Sequence, residues 1–211
     1  MPRPRFARLD AEKQEAILEV AEQEFAEHGF DKASFNRIIA AAGVSKGAMY
    51  YYFDDKADLF ATVLERVAGA LFDALGELGE VSDPRSFWSA VEAMLTRAIT
   101  WFATHPRAAV LARQLASAEL AALPGLGPLY DAGDQLLEEM LRRGQAVGAV
   151  RDDLPLPLLA RLLNRTGEVV DVYIARHYDE LEGEEVARLH QQTMDLLERI
   201  AAPAEPSQAA Q

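Results

Sequence analysis

The chain has 211 residues, half of them apolar, a net charge of −13 and no cysteine. That length suits one or two domains, and the apolar share is too large for disorder. Without cysteine there are no disulfides, thiolate zinc centres, iron–sulfur clusters or cysteine nucleophiles. No run approaches the roughly 18 apolar residues of a membrane span, and Met1-Pro2-Arg3-Pro4-Arg5 is not followed by an apolar signal core, so the expected location is cytoplasmic. The acidity is uneven. Residues 1–66 carry a net −3 and all four lysines, whereas residues 67–211 carry −10. A duplex senses local charge, screened over about 8–10 Å, so an acidic remote part does not forbid binding.

Every legible element is helical. From Asp10, a plausible N-cap, apolar residues recur at Ile17, Val20, Ala21 and Phe25 until His28-Gly29. Ser34 is placed to cap a short helix through Ile38 and Ile39, which Gly43 breaks. Ser45 is placed to cap a third, carrying Met49 and Phe53. Asp54-Asp55-Lys56 opens a long helix through Leu59, Val63, Val67 and Leu71, with Asp55 as N-cap and Asp58 at N3 suiting the positive end of its dipole.

Ser82-Asp83-Pro84 starts a fifth helix, whose face runs Phe87, Val91, Met94, Leu95, Ala98, Trp101, Phe102. After His105-Pro106 comes a sixth through Val110, Leu111, Leu115 and Leu120. Pro124-Gly125-Leu126-Gly127-Pro128 is the strongest break in the chain. A helix through Leu136, Leu137, Met140 and Leu141 fades at Gly144 and Gly148. Two more run from Leu158 to about Tyr178 and from Glu184 to about Ala201. The tail from Pro203 reads as disordered. No strand pattern occurs. The expected fold class is all-α, with about nine helices: three short ones and then a larger bundle.

The informative segment is Ser34 to Phe53. A helix-turn-helix needs a short helix, a tight turn often containing glycine, and a second helix at a steep angle. Gly43 supplies the turn, Val44 can fill the space between the helices, and Ser45 presents free N–H groups where a phosphate is welcome. Tyr50, Tyr51 and Tyr52 lie about 100° apart on a helix, so they cannot all be buried. A tyrosine hydroxyl suits a phosphate and its ring a thymine methyl.

Ala42-Gly43-Val44-Ser45-Lys46-Gly47-Ala48-Met49-Tyr50-Tyr51-Tyr52-Phe53, followed by Lys56 and Leu59-Phe60, resembles the TetR family of bacterial transcriptional repressors, as do Ile17–Phe25 and His28-Gly29-Phe30. The resemblance covers about residues 10–65. It implies DNA contacts from Ser34, Asn36 and Arg37, from the recognition helix through Ser45, Lys46, Gly47, Ala48, Tyr50 and Tyr51, with Tyr52 at its end, and a phosphate contact from Lys56. Three positions depart from the family pattern: Ile39 where a small alanine is usual, Tyr52 where histidine is usual, and Asp54-Asp55 where Pro-Ser is common. Carboxylates beside a phosphate repel it unless they turn into helix capping. Arg3, Arg5 and Arg8 read either as an arm that reaches DNA or as a solvated tail.

The resemblance further implies a homodimer on a palindromic operator, joined by the last two helices, and a small-molecule effector bound in the central bundle. Candidate seam residues are Leu159, Leu162, Leu163, Val170 and Tyr173 on one helix and Leu189, Leu196, Leu197 and Ile200 on the other; intramolecular burial would give the same stripes. Candidate ligand residues are Trp88, Met94, Trp101, Phe102, Tyr130 and Met140, although an aromatic or Met at helical spacing is more often plain core, with Asn164, Glu168 and Asp171 interrupting an otherwise apolar helix. No cofactor or metal is expected: the four histidines are scattered, and Asp131, Asp134 and Glu138 lack the Glu-x-x-His pairs of a di-iron bundle. The expected organisation is residues 1–55 for DNA, 56–202 for ligand and dimer, and 203–211 as a tail. The competing readings are a helical dimer or adaptor that keeps the scaffold without binding DNA, and a small helical enzyme, which lacks a catalytic constellation.

Overall fold

Asp10 begins the first helix as its sequence position requires, accepting the Lys13 N–H at 2.9 Å. In the computed structural model, which describes residues 4–115, 123, 125–177 and 183–203 but not the side chains at 168, 171, 175 and 176, this helix is α1 (Ala11–Lys32). Gly29 leaves helical geometry with φ 71°, so the expected stop is a kink followed by one more turn. Then come α2 (Phe35–Ala41), α3 (Lys46–Tyr52), α4 (Lys56–Leu75), α5 (Pro84–Thr104), α6 (Pro106–Leu115), α7 (Gly127–Ala146), α8 (Leu156–Arg176) and α9 (Gly183–Ala201), with a 3₁₀ turn at Phe6–Arg8 before α1. The fold is all-α. Nine α-helices and no strand occur among the described residues. The expected extension of α6 to Leu120 and the tail beyond Pro203 lie outside them.

The chain divides into two compact units, Met1–Ala74 with Thr100–Leu129, and Leu75–Ile99 with Tyr130–Gln211. The first is built on an aromatic centre. Phe25, Phe53 and Phe60 are fully buried, and Phe60 meets Phe25 at 4.8 Å and Phe30 at 5.1 Å between ring centroids. Ile17, Leu18 and Ala21 of α1, Ile38 of α2, Met49 of α3, Leu59 and Val63 of α4 and Leu111 of α6 complete this core. Over its surface, Arg66 of α4 bonds to Glu15 and Glu22 of α1, and Arg107 of α6 lies 3.5 Å from Glu22 and 3.6 Å from Glu19. Two cations on one carboxylate hold α4 and α6 in register with α1, so the three-helix segment is not packed on itself alone.

The second unit is centred on Phe87 of α5, Leu141 of α7, Val150, and Leu159, Ala160 and Leu163 of α8. Here a glycine has a packing role that its sequence position hides. The expected fading at Gly144 does not occur: α7 continues to Ala146, and the chain turns at Gly148 (φ 70°), where Ala149 donates to the Gly144 carbonyl at 2.8 Å. A Cβ on Gly144 would stand 2.7 Å from the Phe87 ring and closer still to Val150. Gly144→Ala is therefore expected to cost about 1–3 kcal/mol by overpacking, read as a lower urea midpoint with unchanged slope. A variant as stable as the parent would refute this account of the contact. The Arg151 N–H, donating to the Ala201 carbonyl at 2.7 Å, ties the end of α9 to the same turn.

Candidate nucleic-acid interface

Two serines set the geometry. Ser34 Oγ accepts the Arg37 N–H at 3.3 Å and starts α2; Ser45 Oγ accepts the Ala48 N–H at 3.1 Å and starts α3. Between them Gly43 takes φ 65°, which an L side chain rarely adopts, and the half-buried Val44 packs against the core. Met49 and Phe53, four residues apart, are both fully buried, and their burial orients everything else on α3. Lys46, Gly47, Tyr50 and Tyr51 are exposed and Ala48 is half-buried. The Tyr50 ring is 43% exposed, leans edge-on against Phe35 at 5.2 Å, and lies 5.9 Å from the Lys46 ammonium. Tyr51 is 46% exposed. Tyr52 is the tyrosine that turns inward, edge-on to Phe6 at 6.1 Å. Gly47 has no internal reason to be glycine, since a Cβ there would meet nothing within 4 Å.

Asn36 and Arg37 lie exposed on α2, but Arg37 is committed. Its Nε donates to both oxygens of Glu24, at 2.9 and 3.1 Å, and its Nη2 to the Lys32 carbonyl at 3.1 Å. Glu24 is nearly buried and also accepts the Ser34 N–H at 2.7 Å. This carboxylate joins α1 to the head of α2. Sequence reading missed it, although Glu24 stands three residues after Ala21 and seven after Ile17, on the buried stripe, where a charge needs a partner.

The Arg37 hydrogen bond, aided by the Ser34 N–H and against the penalty of burial, lowers the Glu24 pKa below its ordinary 4.5. The folded-state value is depressed, so the stability Glu24 contributes is complete above about pH 4.5 and is lost as the pH falls through the lower folded value. Glu24→Gln is expected to cost about 1–2 kcal/mol at pH 7. The gap to the parent should narrow below pH 4 in urea titrations, and a gap independent of pH would contradict this origin.

Lys56 is also engaged. Its ammonium donates to the carbonyls of Phe30 (2.6 Å), Asp31 (3.1 Å) and Ala33 (3.2 Å), closing the negative end of α1. Of the two aspartates before it, Asp55 is a helix-capping group, and the backbone N–H of Asp54 is held by Asp58. Asp55 Oδ1 accepts the Asp58 N–H at 2.9 Å, and Asp58 Oδ2 accepts the Asp54 N–H at 3.1 Å, two bonds across the start of α4. Ile39 is buried beside Ile38. Phe6, also missed from sequence, is 3% exposed, with its ring 4.7 Å from Phe53. Its signal was a single aromatic among prolines and arginines.

Comparison with known proteins decides what this arrangement is. Residues 17–63 match the family model described as bacterial regulatory proteins, tetR family. A transcriptional repressor of Mycobacterium tuberculosis, Rv1474c, is 31% identical over 178 residues, covering 79% of this chain and 82% of that one. The chain belongs to the TetR family. It is a DNA-binding transcriptional regulator, and its helix-turn-helix is α2 and α3. The repressor AcnR of Corynebacterium diphtheriae is similar along its whole length, 28% identical over 98% of this chain and 100% of its own. Among solved structures, SmeT, the repressor of a Stenotrophomonas maltophilia multidrug efflux pump, shares the fold with a TM-score of 0.69 at 21% identity, over 93% of this chain and 95% of that one.

The ligand candidates of this TetR-family chain are dispersed. Trp101 and Phe102 belong to the first unit, where Trp101 stacks on His105 at 4.3 Å. In the second unit Trp88 and Met140 pack against the core, Met94 is buried and Tyr130 is exposed. Asn164 donates to Asp134 at 2.6 Å; the side chains of Glu168 and Asp171 lie outside the described residues. A cleft of about 580 Å³ in this unit is lined by Arg85, Trp88 and Glu92 of α5 and by Met194, Asp195 and Glu198 of α9, with the 148–149 turn. The seam candidates separate into two faces. Leu159 and Leu163 are buried in the unit's own core, with Leu197 and Ile200 against it. Leu162, Tyr173 and Leu196 are exposed, as are Leu158 and Val169, while Val170 and Leu189 are half-buried. Among the described residues, no three metal-ligating side chains gather and no helix is long and apolar enough to cross a membrane.

Proposed function

We propose that the chain is a ligand-responsive repressor that binds a palindromic operator as a homodimer and is released by a small molecule. The observation that carries this reading is the outward face of α3, with Lys46, Gly47, Tyr50 and Tyr51 around a helix whose inward Met49 and Phe53 are buried. The unused N–H groups at the Ser45 cap and the Tyr50 and Tyr51 hydroxyls suit phosphates, and their rings suit thymine methyls. Gly47 allows the backbone to come close to a base edge. Ser34, Asn36 and Ala48 complete the surface. Arg37 and Lys56 serve it by holding the α1–α2–α4 junction. In this reading residues 1–55 bind DNA and residues 56–202 carry the dimer and effector functions.

One helix-turn-helix reads few base pairs, so two are needed on successive major grooves. The support for a dimer is the exposed stripe of α8: Leu158, Leu162, Val169 and Tyr173 fall within about 60° of arc, on a different side from Leu159 and Leu163. An apolar stripe of that length on a folded surface suits burial against a partner. The support for an effector is the α5–α9 cleft, whose volume lies in the range of small-molecule sites. Its three carboxylates and Trp88 favour a cationic, partly aromatic molecule over an anion. Such a molecule lowers operator occupancy only by binding the released form more tightly, by a few kcal/mol.

The deciding experiment is fluorescence anisotropy with a labelled duplex from the region upstream of the protein's own gene, combined with sedimentation. A dimer whose affinity falls steeply with salt is the expected result. A stable dimer that binds no duplex even at low salt would replace this reading with that of a helical adaptor.

A further inference from the structure

The helix-turn-helix offers a phosphate chain less positive charge than its sequence suggests. Arg37 is neutralised by Glu24, and the three hydrogens of the Lys56 ammonium all point at carbonyls. Past the end of α3 stand Asp54 and Asp55, both exposed. Lys46 is the cation at the head of α3. At the other end of the helix a cation comes from outside it.

The Arg5 guanidinium carbon lies 3.8 Å from the centre of the Tyr51 ring. The residues that follow it are anchored. Phe6, the next residue, is buried between Tyr52 and Phe53 at the C-terminal end of α3. The 3₁₀ turn at Phe6–Arg8 follows at once, and the Gln14 side chain holds the Leu9 carbonyl at 2.7 Å. Among the described residues the partner of Arg5 is a ring, which does not offset its positive charge. A guanidinium stacked by its face keeps its N–H edges for a bidentate acceptor, and a side chain held in place before binding loses little entropy on binding.

We propose that Arg5 is a further DNA-contacting residue of this protein, anchored by Phe6 over Tyr51 so that its guanidinium meets a backbone phosphate beside the C-terminal end of α3. The inference rests on the DNA-binding reading above. It explains how a recognition helix flanked by two aspartates keeps a positive contact at that end, and it gives the N-terminal segment a definite position on the interface.

The test is Arg5→Gln, compared with the parent by anisotropy across a salt series. Two labelled duplexes are used: one from upstream of the protein's own gene and one of mixed sequence. Arg5 is exposed, so the variant should melt with the parent. The expected result is an affinity loss of about three- to tenfold on both duplexes, with the slope of log K against log salt shallower by about one per subunit. Phe6→Ala, which frees the anchor while Arg5 remains, should show part of the same loss. Unchanged affinity and slope in Arg5→Gln would overturn the proposal. A loss confined to the upstream duplex with an unchanged slope would also overturn it, in favour of a base contact. A parent that binds neither duplex would instead bring down the DNA reading itself, and the inference with it.

Discussion

Lys46→Ala combined with Tyr50→Ala is expected to reduce affinity for the upstream duplex by about a hundredfold or more, with folding intact. Both side chains are exposed on α3, and neither contributes to the buried stripe of Met49 and Phe53. In the proposed reading each removes a phosphate or base contact of about 1–3 kcal/mol, and the proposed symmetric dimer loses each of them twice. The single variants should separate the roles. Lys46→Ala should weaken binding evenly across sequences and lower the salt slope by about one per subunit. Tyr50→Ala should leave the slope and fall hardest on the upstream duplex. Undiminished binding by the double variant would show that the reading face lies elsewhere, because α3 has no other exposed cation in its sequence.

Leu162→Asp together with Val169→Asp is expected to convert the proposed dimer to monomer in sedimentation equilibrium, raising the dissociation constant by on the order of a hundredfold or more. Val169 is 68% exposed and Leu162 is 44% exposed, so neither carboxylate is forced into the core, and melting temperature should change little. In a self-complementary seam each apolar side chain is buried on both subunits, at about 1.5–3 kcal/mol per side chain. DNA affinity should fall with the dimer, since two half-sites are then no longer held together. The control is Leu163→Asp, seven residues before Val170 on the inward side of α8. It should unfold the second unit instead of splitting a dimer. If the double variant remained a dimer, the seam would have to lie on another face.

Local signals carried most of the fold. Asp10, Ser34, Ser45 and Asp55 are short polar residues before apolar periodicity, and each accepts the N–H expected of an N-cap. Gly43 and Gly29 mark breaks because only their backbone tolerates positive φ. Whether a carboxylate in a first turn repels a ligand or closes its own helix is also largely local, which is why the pairing of Asp55 with Asp58 was foreseeable. Gly144 shows the opposite. Glycine after an amphipathic run resembles a helix end, but here it is an interior position where Phe87, some 57 residues distant, leaves no room for a methyl group.

The recognition helix illustrates the division. From its sequence alone followed its start at Ser45, its inward pair Met49 and Phe53, and the family to which it belongs. These rest on caps, on 3.6-residue periodicity and on a contiguous motif, all of which are short-range. The chemistry of the surrounding cations was decided only by tertiary structure. Arg37 and Lys56 read as free charges until α1 supplies a carboxylate and three carbonyls from 13 to 26 residues away. Arg5 reads as part of a loose end until burial of Phe6 lays it over Tyr51. A charge acts through whatever stands within a few ångströms of it, and distance in space between separate helices is not encoded in the spacing of residues along one of them.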